Sequence, residues 1–390
     1  MRRTLTAALA VAITTVSLSA TAPATSAAPP AAVASRCAPN PVLTPVASHR
    51  LPAGVKADVY TAPARTAAGR RARAQVTAVT ARLGPRVGLR PLLSSVTSRR
   101  TVHTHASRRG VIAAVNGDYF DYGTRANTGH PIWPIILGGE PIKATSRWSP
   151  ILGIGTDGKL HTTMVALDGA VATGGRTFPV QAVNTRGIAG LSVFTAKWGP
   201  AHRQTGRKEV WVSDGKVVAL RRLKDRIPTR VTVLSAAGRR AEQFLGGMRR
   251  GQEVEVRLAQ RPDREGVVYR DALGRGPRVL VDGVNVADCT TLESTATRPR
   301  TGIGWRDGGS TVIFLTVNAS KTAALGDAGM THHQAAAALR AAGATDGVLV
   351  DGGGSTTMEV RRRMDLAPVR FDQRASYERP VPNSYALFMP

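Results

Sequence analysis

The chain has 390 residues, 42% of them hydrophobic, which is enough core for one large domain or two ordinary ones. It carries 53 Lys+Arg against 26 Asp+Glu, a net charge of +27. Aromatic residues are only 5% and the basic residues are scattered, so the chain lacks the interleaved cations and stacking rings of a nucleic-acid surface, and no specific nucleic acid is expected. The charge then has two readings: attraction to an anionic partner such as a wall polymer, or a general Ala-, Gly- and Arg-rich bias.

Residues 1–28 read as a signal peptide, with two arginines, a modest apolar segment and small residues before the cleavage point. That apolar segment is too short and too rich in Ser and Thr to span a bilayer, so no transmembrane anchor is expected. The mature protein is expected outside the cell, free or associated with the wall. Residues 29–50 are rich in Pro and Ala and read as flexible; residues 51–390 read as one domain. Cys37 and Cys289 are the only cysteines, and in an exported protein a bridge between them is favoured over two unrelated residues.

From Leu51 the pattern is that of strands: "KADVYTA", "AQVTAVTARL", then "RRGVIAAVNGDYF" running into a loop. Three hairpins come next, with turns at Asp157-Gly158, Asp214-Gly215 and Asp282-Gly283, the last within "VLVDGVNVA". "GSTVIFLTVN" is a strongly apolar strand. "THHQAAAALRAAG" is a helix that Thr331 can N-cap and Gly343 can end, and "GVLVDG" is a strand again. The expected class is α+β, sheet-dominated, with few helices and one local strand-helix-strand unit.

The second "VLVDG" leads not into a tight turn but into bare backbone and hydroxyl residues, as "VLVDGGGSTTMEV". Asp351 stands where a buried strand ends. Gly352, Gly353 and Gly354 can present successive N–H groups, and Ser355 adds a hydroxyl. Such a loop suits a phosphate or carboxylate oxygen. It equally suits a glycine-rich bulge with Asp351 capping a turn, and the loop alone does not separate the two. His103, His105, His332 and His333 lack zinc-site spacing and read as surface or capping residues. Calcium held by Asp118, Asp121 and carbonyls finds no support in ligand spacing, so no cofactor is expected.

Six blocks in order, "AAVNGDYFD", "VNTRGIAGLSVFTAKWG", "GRGPRVLVDG", "RPRTGIG", "GMTHHQAAAALRAAGATDGVLVDGGGSTTM" and "ERPVPNSYALF", resemble the phosphodiester glycosidase family, the domain of N-acetylglucosamine-1-phosphodiester alpha-N-acetylglucosaminidase. The resemblance runs over most of the mature chain. It implies hydrolysis of a sugar-1-phosphodiester or phosphoglycan. Asn116, Arg300, Thr301, Asp351 to Ser355, Glu378, Arg379 and Asn383 match the family's motif positions. Asp121 comes after the motif Phe as in relatives, Asp118 stands where many relatives have glycine, and Asn184 and Arg186 match only loosely.

The chemistry fits these residue types. A phosphate leaves readily as an anion, its second pKa being about 6, so cations and N–H donors on the phosphate matter most. Arg300 and Arg379 are the expected forked donors. A carboxylate must attack the anomeric carbon, stabilise it or activate water, and Asp351 is the first candidate. Asp118, Asp121 and Glu378 are alternates for a second carboxylate, with plain readings of Asp121 as a loop cap and Glu378 as a surface charge. Asn116 would hold a sugar hydroxyl or orient a carboxylate, or merely make an Asn-Gly turn. Two other classes stay open: a non-catalytic binder of anionic wall glycopolymers, and a transferase of exopolysaccharide assembly.

Overall fold

A computed structural model describes residues 37–66, 69–122, 129–201, 203, 208–220, 226–264, 266–319, 329–370 and 378–390. The proposed signal segment lies outside them. The segment expected to be flexible is ordered from Cys37 onward, because Cys37 is bridged to Cys289 and Thr44–Arg50 pairs as a strand with Lys56–Arg65.

The expected sheet-dominated α+β class is what the chain adopts. Strands of alternating and fully apolar pattern assemble, among the described residues, into sheets of eight, eleven and five strands. All three expected hairpins form. Asp214 and Asp282 take positive φ ahead of Gly215 and Gly283, the type I′ pattern that matches strand twist. The hairpin at Asp157-Gly158 joins Ser149–Gly155 to Leu160–Thr173.

The strand-helix-strand unit is also present. Thr311–Ala319 leads to the helix His332–Ala341 and then to Asp346–Leu349. The strand Arg300–Arg306 sits between the two strands, antiparallel to both, so they run parallel. Thr331 and Gln334 form a reciprocal capping box at the helix start, and Gly343 at φ 95° stands just past its end. The helix lies close to the sheet because the strands beneath Leu339 are bare. A Cβ at Gly302 or Gly347 would meet Leu339 Cδ1 at 3.0 Å, and one at Gly304 would meet Ala344 Cβ at 2.6 Å. Those glycines of "RTGIG" and "TDGV" therefore serve packing.

The five-stranded sheet holds Gly88–Leu93, Asn383–Phe388, Val111–Asn116, Met358–Val360 and Val369–Arg370. The chain passes into it from the eight-stranded sheet through residues 350–357. A shared apolar core with Val115, Leu273, Ile303, Val348 and Tyr385 joins strands of all three sheets. Among the described residues no helix is long and apolar enough to cross a membrane.

Candidate active site

The site sits where strands of the two smaller sheets end together. Val111–Asn116 pairs with Asn383–Phe388 so that Asn116 lies opposite Ser384. Asn116 is wholly buried. Its Nδ2 donates to the Asp351 carbonyl at 2.6 Å, and its Oδ1 accepts from Thr301 Oγ1 at 2.7 Å and from the Thr357 amide at 3.2 Å. Three segments, 185 to 241 residues away in sequence, are thus pinned on one amide. Of the roles expected for Asn116, the geometry matches orientation of the carboxylate residue, because its Oδ1 is doubly occupied inside the protein. Thr301, expected at the substrate, is likewise buried and committed to Asn116.

The glycine loop is tighter than a free row of donors. The Gly352 amide donates to Asp351 Oδ1 at 2.9 Å, Gly353 to the Pro299 carbonyl at 2.8 Å, and Ser355 to the Gly352 carbonyl at 3.1 Å. The expected nest of three glycine amides is therefore corrected: those of Gly352 and Gly353 are spent within the protein, leaving at most that of Gly354 for an external oxygen. Gly353 takes φ 55°. Asp351 and the three glycines stay partly exposed, so the loop opens to water.

Arg379 lies on this loop. A Cβ at Gly354 would overlap its guanidinium, which also stacks 4.7 Å over the Tyr122 ring. Burial pushes the Asp351 carboxyl up to about 6, against the Ser355 side chain, the Gly352 amide and the Arg379 charge, which all favour its ionised form. A carboxylate poised there is mostly ionised at neutral pH yet poorly solvated.

Arg300, expected as the second forked donor on a phosphate, is placed otherwise. It is 3% exposed. Nε donates to the Met330 carbonyl at 3.1 Å, Nη1 to Glu293 Oε1 at 2.8 Å, and Nη2 to the Glu293 and Ala296 carbonyls at 2.9 and 2.8 Å. With four acceptors on five N–H groups, Arg300 clamps the 293–296 turn beside the loop. Glu378 is also engaged: its Oε1 accepts from the His103 amide at 3.1 Å in the first turn of Val102–Ala106, a capping contact rather than the free surface charge of its plain reading. His103 and His105 lie on that helix. His103 Nδ1 lies 3.2 Å from Glu359 Oε2, and His105 is fully buried against Ser384 Oγ at 2.8 Å. His332 is buried too, so the surface reading fails for both His105 and His332.

Asp118 stands behind Asp351. Asn383 Oδ1 accepts its amide at 2.8 Å, and its own Oδ2 accepts the Trp133 amide at 2.9 Å. Asn383, matched by motif, thus shapes the loop from below. Asp118 Oδ1 is buried with no hydrogen-bond partner. Burial pushes the Asp118 carboxyl up and the nearby Lys143 ammonium down, each charge holding the other back. Lys143 Nζ donates to the Ile132 and Trp133 carbonyls at 3.0 and 3.3 Å, so the pair fixes the segment that carries Trp133. Asp121 Oδ2 lies 3.7 Å from His130 Nδ1, and burial holds His130 down at about 4.

Sequence reading missed several members. Tyr119 is partly buried, and its hydroxyl is held well above its ordinary value by burial and by Asp351. It lies across Gly276, where a Cβ would meet its hydroxyl at 3.0 Å. Gly274 and Gly276 of "GRGP" were visible only as part of a block; bare Cα atoms there admit Trp133 and Tyr119. Lys143 and Glu293 carried no local signal, since each is defined by a partner distant in sequence. Among the described residues the group able to gather around a metal is Cys37, Cys289 and His333, and its two sulfurs are joined in the disulfide.

Comparisons with known proteins agree with the fold, and a family model matches part of the chain. The chain is similar to a hypothetical protein from Synechocystis, at 18% identity and a TM-score of 0.67 over 86% of this chain and 62% of that one. It thus spans less than two thirds of the Synechocystis protein. It is also similar to a protein of Burkholderia pseudomallei, at 19% identity and a TM-score of 0.64 over 83% and 75% of the two chains. The zebrafish N-acetylglucosamine-1-phosphodiester alpha-N-acetylglucosaminidase catalytic domain shows 13% identity and a TM-score of 0.46 over 89% and 88%. No curated protein matches. The "VNGDYFD" block lies outside the residues matched by the family, yet its Asn116 and Asp118 reach the same site. Residues 201–388, with the Asp351 loop, Arg300 and Arg379 among them, match the model of the phosphodiester glycosidase family.

Proposed function

We propose that this protein is an exported hydrolase of sugar-1-phosphodiesters, of the N-acetylglucosamine-1-phosphodiester kind. Water adds to the anomeric carbon, the C1–O bond breaks, and the products are the free sugar and a phosphomonoester. Asp351 attacks the anomeric carbon or deprotonates the water. Arg379, with the Gly354 amide, receives charge on the departing phosphate. Asp118 and Tyr119 shape the wall behind Asp351.

The observation that carries this reading is a half-desolvated carboxylate, Asp351, beside a guanidinium laid on bare backbone. A mere receptor for anionic glycopolymers gains nothing from a buried carboxylate in its anion site, because the two negative charges repel. A catalyst of C1–O cleavage needs that carboxylate. Export is supported by the signal-like segment at residues 1–28.

The test is incubation of the mature protein with a panel of sugar-1-phosphodiesters, measuring free sugar and phosphomonoester. Release by the wild type and its loss in Asp351→Asn are expected. No release, or equal release by both, overturns the hydrolase. A sugar-acceptor product in place of free sugar points to the transferase.

A further inference from the structure

Well away from Asp351 in the sequence, a groove of about 570 Å³ runs between the Lys56–Arg65/Arg71–Arg82 hairpin and the N-terminal segment Ala38–Val42. Arg65, Arg71 and Arg73 line one wall. All three are exposed, and among the described residues none is in an ion pair. The strand register sets Arg65 directly opposite Arg71, and Arg73 opposite Pro63. Like charges facing each other across an antiparallel pair destabilise it. Arg65 spends Nη1 on the Gly69 carbonyl at 2.7 Å and Arg73 spends Nε on Thr61 Oγ1 at 3.0 Å, which fixes the stems and leaves the remaining guanidinium N–H groups outward.

The opposite wall is fixed as well. The Cys37–Cys289 bridge anchors the segment at one end, and Gln334 Nε2 donates to the Pro39 carbonyl at 3.2 Å. The groove floor includes Thr297, three residues before Arg300 in the strand that flanks the Asp351 loop. None of the lining residues is acidic and none is aromatic.

We propose that this groove binds a chain of phosphodiester-linked polyol or sugar units, as a second site beyond the glycosidic one. Repulsion between unpaired arginines is relieved by phosphates spaced along a strand, and a guanidinium fork suits each of them. The lack of aromatic lining disfavours nucleic acid, whose bases need stacking partners. The net charge of +27 adds long-range attraction to such a polymer. This deepens the proposed function, on which it rests for the polymer's link to the Asp351 site: the polymer is held here while its sugar-1-phosphate linkage is presented there.

The experiment measures binding of a labelled poly(glycerol phosphate) chain by Asp351→Asn protein, with and without the triple change Arg65→Ser, Arg71→Ser, Arg73→Ser. Working on the inactive background separates binding from hydrolysis, so failure of either reading is seen on its own. Salt-sensitive binding that weakens at least tenfold in the triple variant is expected. In the active background the same triple change is expected to leave turnover of a small sugar-1-phosphodiester unchanged. Equal binding by the triple variant, or no binding by its parent, overturns the site. Single-stranded DNA binding as tightly as the polyol phosphate overturns the choice of ligand.

Discussion

Adding one methyl group at Gly354 separates catalysis from folding. The Cβ of Gly354→Ala would fall within the Arg379 guanidinium, and the backbone there needs no left-handed φ. The clashing atoms are the far end of a flexible side chain, so the fold should survive, with stability changed by about 1 kcal/mol or less. The guanidinium, however, must leave the loop. Removing one preorganised donor from developing charge costs on the order of 10²–10³ in turnover, about 3 to 4 kcal/mol. There is a second signature. The Arg379 charge holds the Asp351 carboxyl down against burial. Displacing it should therefore move the acid limb of the pH–rate profile above the wild-type value of about 6. The assay is kcat/KM against pH on a sugar-1-phosphodiester, alongside a thermal melt. Gly353→Ala is the control: its Cβ meets nothing within 4 Å, but φ 55° makes the residue strained by about 1 to 2 kcal/mol. It should lose stability and keep most of its activity. A folded Gly354→Ala enzyme with wild-type turnover and an unmoved acid limb would refute the placement of Arg379 on the reacting phosphate.

The same geometry fixes three more outcomes. Because folding raises the Asp351 carboxyl from 3.8 to about 6, the folded state binds its proton more tightly than the unfolded chain, and ionisation weakens the fold as pH rises through that window. Asp351→Asn should abolish turnover while stabilising the protein by up to about 3 kcal/mol near pH 8 and hardly at all near pH 3, read from denaturant midpoints. Arg300→Lys gives up the fork that holds the 293–296 turn, so it should cost about 2 to 4 kcal/mol in stability; full stability with a large loss of substrate affinity would return Arg300 to the phosphate. The Cys37–Cys289 bridge closes a separation of 252 residues, so Cys289→Ser should cost on chain-entropy grounds about 5 kcal/mol, seen as a lowered Tm that dithiothreitol no longer affects.

The features legible in the sequence and those hidden from it divide along a physical line. Hairpins and caps are local: Asp282-Gly283 and Thr331 with Gln334 are read from adjacent residues, and the structure builds both. The Asp351 loop was legible for the same reason, since an apolar run that breaks into three glycines marks a strand end with special backbone. The charges were not. Arg300 and Arg379 look alike in sequence, yet one is sealed beneath Glu293 and the other lies open on Gly354. Which arginine is spent on structure depends on acceptors that the fold brings up, here a turn seven residues away and the Met330 carbonyl thirty residues away. Asp118 makes the same point in reverse. In sequence it shows only as a carboxylate where many relatives have glycine, but the fold brings Lys143 near it and a bare Cα at Gly274 that admits it. Both side chains are buried and both hold the segment that carries Trp133. Taking away Lys143 alone would remove a charge that favours Asp118 ionisation, so its carboxyl would be held further up and stay protonated at neutral pH.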